Sequence, residues 1–93
     1  MRTIERSNQF KRDYKRELKG QRGKKLPKAL IDLLDLLVND RPLDVKYRDH
    51  GLSGTWDGYR DCHVRPDLVL IYSLPDARTL RLVRLGSHSE LFD

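Results

Sequence analysis

Residues 68 to 74, LVLIYSL, constrain this 93-residue chain more than any other stretch. A half-buried strand alternates apolar and polar side chains, but this one is aliphatic on both faces. It therefore reads as a central strand of a sheet that is covered above and below. Cover is available upstream. Leu26, Leu30, Leu33, Leu34 and Leu37 recur with helical period, and Ile31 and Val38 broaden the face. Pro27 suits a first helical turn and NDRP at 39 to 42 ends the helix, because a residue before proline disfavours helix.

A shorter helix is expected from Asn8 to Lys19, with Ser7 as its N-cap. Its apolar residues Phe10, Tyr14 and Leu18 make a narrow stripe, with Lys11, Arg12, Lys15 and Arg16 around the rest of the circumference. Gly20 and Gly23 bracket a break before the leucine-rich helix. RTIER at 2 to 6 reads as a first strand. Residues 43 to 58, with Gly51, Gly54 and Gly58, read as a loop holding a short strand around Val45 to Tyr47. Tyr59 to Val64 pairs with Leu68 to Leu74, PDA at 75 to 77 turns the chain, and Thr79 to Leu85 forms the last strand. Ser87 and Glu90 stand at capping-box spacing for a short C-terminal helix. The expected fold is α+β: a small antiparallel sheet with two N-terminal helices packed on one face, in the order β-α-α-β-β-β with a short helix after it. Residues 1–93 make a single domain.

Charge is distributed unevenly. Residues 1 to 30 hold 11 basic and 3 acidic side chains, a balance of +8, whereas residues 31 to 93 carry −3. A basic N-terminal third suits a polyanion, and a solvated helical face explains it equally well. The lone Cys62 excludes an internal disulfide and a Cys-rich zinc site, and fits a reducing cytoplasm. No apolar run approaches a membrane span, and the start MRTIERSNQF lacks the apolar stretch of a signal peptide.

The three histidines, His50, His63 and His88, lie at strand or loop edges in the second half of the chain. A single histidine in such a place is usually structural. Together with Asp61, Asp67, Arg60, Arg81 and Arg84 they form a set suited to metal-independent RNA cleavage. A base takes the ribose 2′-hydroxyl proton, an acid protonates the departing 5′-oxygen, and a cation stabilises the phosphate. No cofactor is needed. Neither HExxH nor CxxC is present, so a metal is the weaker use of these residues. Cys62 reads as a buried structural residue rather than a nucleophile, since His63 beside it points to the opposite strand face. Tyr72 reads as core, and Trp56 fits either a sheet-edge cover or a platform for stacking bases.

YRDHGLSGTWDGYRDCHVRPDLVLIY at 47 to 72 and LVRLGSHSELF at 82 to 92 resemble the YafQ branch of the RelE/ParE superfamily of bacterial toxins. The helical first half agrees in order and length. The resemblance implies a ribosome-dependent mRNA endoribonuclease that inhibits translation and is neutralised by a cognate antitoxin. Partners are then the antitoxin, ribosomal RNA and mRNA, with operator DNA reached only through the antitoxin complex. Residue by residue, it implies active-site roles for His50, His63, Asp67 and His88. Arg84 stands near the phosphate, Phe92 packs on the substrate or site wall, and Asp61 supports. His50 is the expected base and His88 the expected acid. Two other readings compete: a ParE-like toxin that inhibits gyrase without cutting, and a basic RNA- or ribosome-binding module with incidental histidines.

Overall fold

The computed structural model describes residues 1–20 and 23–92. Strand β1 (Thr3–Arg6) leads into helices α1 (Asn8–Leu18) and α2 (Leu26–Val38). Strands β2 (His50–Gly51), β3 (Arg60–Arg65), β4 (Leu68–Asp76) and β5 (Thr79–Gly86) follow, and helix α3 (His88–Phe92) comes last. The sheet order is β1-β5-β4-β3-β2, with β4 central as its two-sided apolarity requires. Its residues Leu68 to Ser73 are all buried. Both expected helices pack on one face, where Phe10, Leu26, Leu30, Leu33, Leu37 and Val38 meet Cys62, Val64, Leu70, Tyr72, Leu80 and Leu82. The opposite face carries a smaller cluster of Val69, Ile71 and Leu91, flanked by Leu52, Trp56, Tyr59, Val83 and Phe92.

Four local expectations differ from what is found. The sheet is mixed rather than purely antiparallel, because β1 runs parallel to β5. Two helices and strands β2 to β4 intervene between the two partners, and that length permits a parallel pairing. Val45–Tyr47 is a 3₁₀ turn capped by the Asp44 carboxylate on the Lys46 amide, and the strand falls instead at His50–Gly51. Strand β4 continues through Pro75 and Asp76, so the turn is displaced to residues 77–78. Leu34 is only half-buried, while Leu33 occupies the centre of the α2 face. The break expected between Gly20 and Gly23 includes residues 21 and 22, which lie outside the described residues.

The face of α1 is the most informative departure. Ser7 caps the helix as expected, its Oγ accepting from the Phe10 amide at 2.9 Å. Yet the buried stripe is Phe10, Asp13 and Glu17, while Leu18 is 39% exposed. The reason lies in the outer edge of β5. β1 pairs only as far as Leu82, and beyond it the edge would be bare. Helix α1 supplies side-chain partners instead. Ser7 Oγ donates to the Val83 carbonyl at 2.7 Å, the Leu85 amide donates to Asp13 Oδ2 at 3.0 Å, and Arg16 Nη2 donates to the Leu85 carbonyl at 2.9 Å.

Asp13 is fully buried. Besides the Leu85 amide it accepts from Arg84 Nε at 2.8 Å, Gln9 Nε2 at 3.0 Å and Arg16 Nη1 at 3.1 Å. Burial opposes its ionisation, but the Arg84, Leu85 and Gln9 bonds outweigh that and hold its pKa below the ordinary carboxylate value. Removing one member of such a buried pair leaves the other charge uncompensated. Asp13→Ala is therefore expected to destabilise the fold by about 3–5 kcal/mol. Each kcal/mol is about 4–8 °C in a domain of this size, so thermal melts resolve it. A lowered carboxylate pKa stabilises above the unfolded value and is lost as pH falls through the folded one. The gap between wild type and Asp13→Asn should thus be widest near neutrality and close in acid; a constant gap would refute the ionic account. Leu33→Ala should cost about 2–5 kcal/mol at any pH.

Candidate active site

Strand register sets the site. His50 pairs with Asp61, Asp61 with Ile71, and Ile71 with Arg84, so these four form one cross-strand row over β2, β3, β4 and β5. His63 lies two residues beyond Asp61 on β3 and pairs with Val69, which in turn pairs with Gly86. Helix α3 begins two residues after that glycine and starts with His88. The reciprocal bonds of the expected capping box fix its start: the Ser87 amide donates to Glu90 Oε1 at 2.8 Å and the Glu90 amide to Ser87 Oγ at 3.2 Å. Gly86 permits the close approach. A Cβ there would stand 3.1 Å from Arg16 Nη2 and 3.3 Å from both Glu90 Oε1 and a Leu91 methyl, so a side chain would crowd the groups that seat α3.

Asp61 is the centre of charge. It is 3% exposed, and His50, His63 and His88 all act on it electrostatically. His50 Nδ1 lies 2.9 Å from the Arg48 carbonyl oxygen and 3.1 Å from Asp61 Oδ1. The contact with the carbonyl has hydrogen-bond geometry, whereas Asp61 Oδ1 is buried without a hydrogen bond. Burial raises the Asp61 pKa above the ordinary carboxylate value, and the three histidines pull against that rise. Because Nδ1 of His50 faces two oxygen acceptors, it carries the proton in the neutral ring and leaves the lone pair on Nε2. His63 is arranged alike, its Nδ1 lying 3.2 Å from the Pro66 carbonyl oxygen.

The remaining expected residues sit around this centre. His88 is exposed on α3, its ring 4.8 Å from that of Phe92, which is half-buried against the Val69 and Ile71 cluster. Arg84 is half-buried, with Nε and Nη2 engaged by Asp13. Asp67 is exposed in the β3–β4 turn, outside the row and directly after the Pro66 that holds His63. Cys62 is fully buried on the helix-covered face, where burial pushes its thiol pKa far up, so it is an inert core residue. Trp56 lies edge-on to Tyr59 at 5.4 Å over the smaller cluster, and Tyr72 belongs to the core. No group of three or more His, Cys, Asp or Glu that could hold a metal occurs among the described residues.

Asp13 went unassigned in the sequence, although its place in the repeat offered a clue. It lies three residues after Phe10, on the stripe that should face the core, and an acid there demands a buried cation or amide.

The chain has relatives among known proteins. A family model described as "Bacterial toxin of type II toxin-antitoxin system, YafQ" matches residues 2–93. The chain is 48% identical over 92 residues to the mRNA interferase toxin YafQ of Escherichia coli strain K12, covering 98% of this chain and 96% of that protein. In structure it is similar to a chain of the E. coli DinJ–YafQ complex, with a TM-score of 0.85, 42% identity and 100% of both chains covered. It is also similar to a metal-bound toxin from Helicobacter pylori, with a TM-score of 0.82, 42% identity, and 99% and 100% coverage.

The strained Asp61 predicts an uncommon pH signature. A carboxyl whose folded pKa is raised contributes stability below its unfolded pKa and loses it as pH rises through the folded value. Asp61→Asn should therefore melt above wild type near neutrality, with the gain vanishing once the pH drops below the ordinary carboxylate range. Melting curves of the two proteins at several pH values test this. A variant that melts lower than wild type at neutral pH would mean that the His50 contact outweighs burial.

Proposed function

The chain belongs to the YafQ family of toxins of bacterial type II toxin-antitoxin systems, and from that membership we propose how it works. It is an mRNA interferase, an endoribonuclease that cuts ribosome-bound mRNA and so stops translation. The observation that carries the mechanism is the His50 ring, whose Nδ1 is committed to the Arg48 carbonyl while Nε2 is left as the basic nitrogen. In this reading Nε2 removes the 2′-hydroxyl proton, and the freed oxygen attacks the adjacent phosphorus. The 5′-oxygen leaves and takes a proton from His88. The buried Asp61 carboxylate stabilises the imidazolium that forms on His50, 3.1 Å away. His63 and the outer N–H groups of Arg84 bind the phosphate oxygens, and Asp13 keeps the Arg84 fork aimed. Asp67 orients the substrate from the turn, and Phe92 packs as a wall behind His88. Acid, base and cation suffice for this transesterification, so no metal step is included.

The basic residues of the N-terminal third form the surface for ribosomal RNA. Lys11, Arg12, Lys15 and Arg16 are exposed on α1, and Lys24, Lys25 and Lys28 line a groove with Arg65 near His63. Ribosome dependence follows from the openness of the site: with His50 and His88 exposed, the ribosome supplies the substrate positioning. A cognate antitoxin neutralises the protein, as the DinJ–YafQ pairing of its E. coli relative suggests. The setting is the cytoplasm; no helix among the described residues is long and apolar enough to cross a membrane.

Primer extension on a defined mRNA in a purified translation system tests the reading. Wild type should cut only when ribosomes are present. His50→Ala and His88→Ala should each lose roughly two or more orders of magnitude in rate. His88→Ala should melt with wild type, because its side chain is exposed. Translation arrest without cuts would indicate a binding inhibitor, and cuts indifferent to both histidines would indicate a different catalytic set.

A further inference from the structure

Asp49, Arg60 and Tyr72 all lie in the stretch that carries the family resemblance, yet the catalytic reading gives none of them a task. They are one network. Arg60 and Tyr72 are cross-strand partners on β3 and β4, and Asp49 joins them from the segment before β2. Asp49 Oδ2 accepts from Arg60 Nη2 at 2.8 Å, and Asp49 Oδ1 accepts from the Tyr72 hydroxyl. Tyr72 is 2% exposed on the helix-covered face. Burial and the Asp49 carboxylate push its hydroxyl pKa upward, so it stays a donor. This row stands back to back with the catalytic one, because Asp49 and His50, like Arg60 and Asp61, are consecutive residues on opposite faces.

The segment that presents His50 has little else to hold it. Strand β2 pairs at only His50 and Gly51. Just before it, Arg48 sits at φ 49°, a left-handed conformation that non-glycine residues adopt only under outside constraint. The Arg48 carbonyl is the group that orients the His50 ring. Arg48, Asp49 and His50 are thus a strained step, a half-buried anchor and a reacting imidazole in succession.

We propose that Asp49, clamped by Tyr72 and Arg60, is the positioning residue of the active site: it fixes the backbone from which His50 meets the 2′-hydroxyl. The proposal rests on the catalytic reading of His50 above. Tyr72→Phe removes the hydroxyl and keeps the buried ring. It should lower kcat on mRNA-programmed ribosomes roughly 10- to 100-fold, as loss of a supporting hydrogen bond around a reacting group does, with KM changed by less than about twofold. Asp49→Asn should behave in the same direction. The effect must pass through His50, so Tyr72→Phe in a His50→Ala background should slow cutting no further. The Nδ1 proton resonance of His50 should shift or broaden in Tyr72→Phe.

Wild-type kcat in Tyr72→Phe overturns the proposal, and so does an equal loss with and without His50. If Tyr72→Phe melts early, Asp49→Asn, which keeps the side-chain shape, carries the same double-mutant comparison and is read by the same criteria. If His50→Ala alone cuts at the wild-type rate, the active-site reading fails first, which separates that failure from a failure of the clamp.

Discussion

The buried carboxylate of Asp13 is the contact on which the rest of the molecule depends. A helix of eleven residues with one buried aromatic has little apolar area to hold it against a sheet. Four donors converge on Asp13, and through them α1 replaces the strand that β5 lacks beyond Leu82. Two consequences reach the site. Arg84 is held by its Nε edge, so the direction of its guanidinium is fixed. Arg16, one turn along, links the Leu85 carbonyl to the α3 carboxylate of Glu90 at 3.6 Å and thereby seats the helix that carries His88. A polar contact replaces a hydrophobic one because the groups to be satisfied are backbone groups of a strand edge, which leucine cannot serve.

The two faces of the sheet divide the work. The helix-covered face is filled by leucines from α2, β4 and β5 together with Cys62 and Val64 of β3, with Asp49, Arg60 and Tyr72 as a hydrogen-bonded patch at its border. The other face is thinly covered and carries the proposed acid-base groups. There Asp61 keeps an oxygen with no hydrogen-bond partner, an arrangement that a structure selected for stability alone would not retain. Its charge is opposed by burial and supported by three imidazoles. In the proposed mechanism, stability is given up at the place where a developing positive charge has to be stabilised.

How much of this was legible depended on whether the signal was local. The two-faced apolarity of LVLIYSL located the central strand, leucine spacing located α2, and Ser7 and the Ser87–Glu90 pair located helix starts, each through contacts within a few residues. Long-range pairing was less visible. Nothing around Thr3 indicates that its partner is Thr79 or that the two run parallel. Leu18 looked like core and Asp13 drew no assignment because hydropathy carries no record of which backbone groups a sheet leaves open. The strand expected at Val45 to Tyr47 became a 3₁₀ turn because Asp44 caps it, a side-chain bond that competes with extended structure. At the site the histidines were visible as residue types with a family resemblance, but their shared relation to Asp61 needed the register of three strands.

Strand order carries a further meaning for a protein of this kind. The pairing of β1 with β5 ties the earliest segment of the chain to one of the latest, and α3 with His88 follows β5. Synthesis delivers residues from the N-terminus, so β1 and α1 wait unpartnered until the final strand emerges. Contacts so distant in sequence form slowly, because the intervening loop must close first. The contacts of Arg84 with Asp13 and the seat of α3 both need residues from the two ends of the chain. A partly made chain holds His50 and His63 without Arg84 or His88, and the ribosome that is making it faces an unfinished sheet.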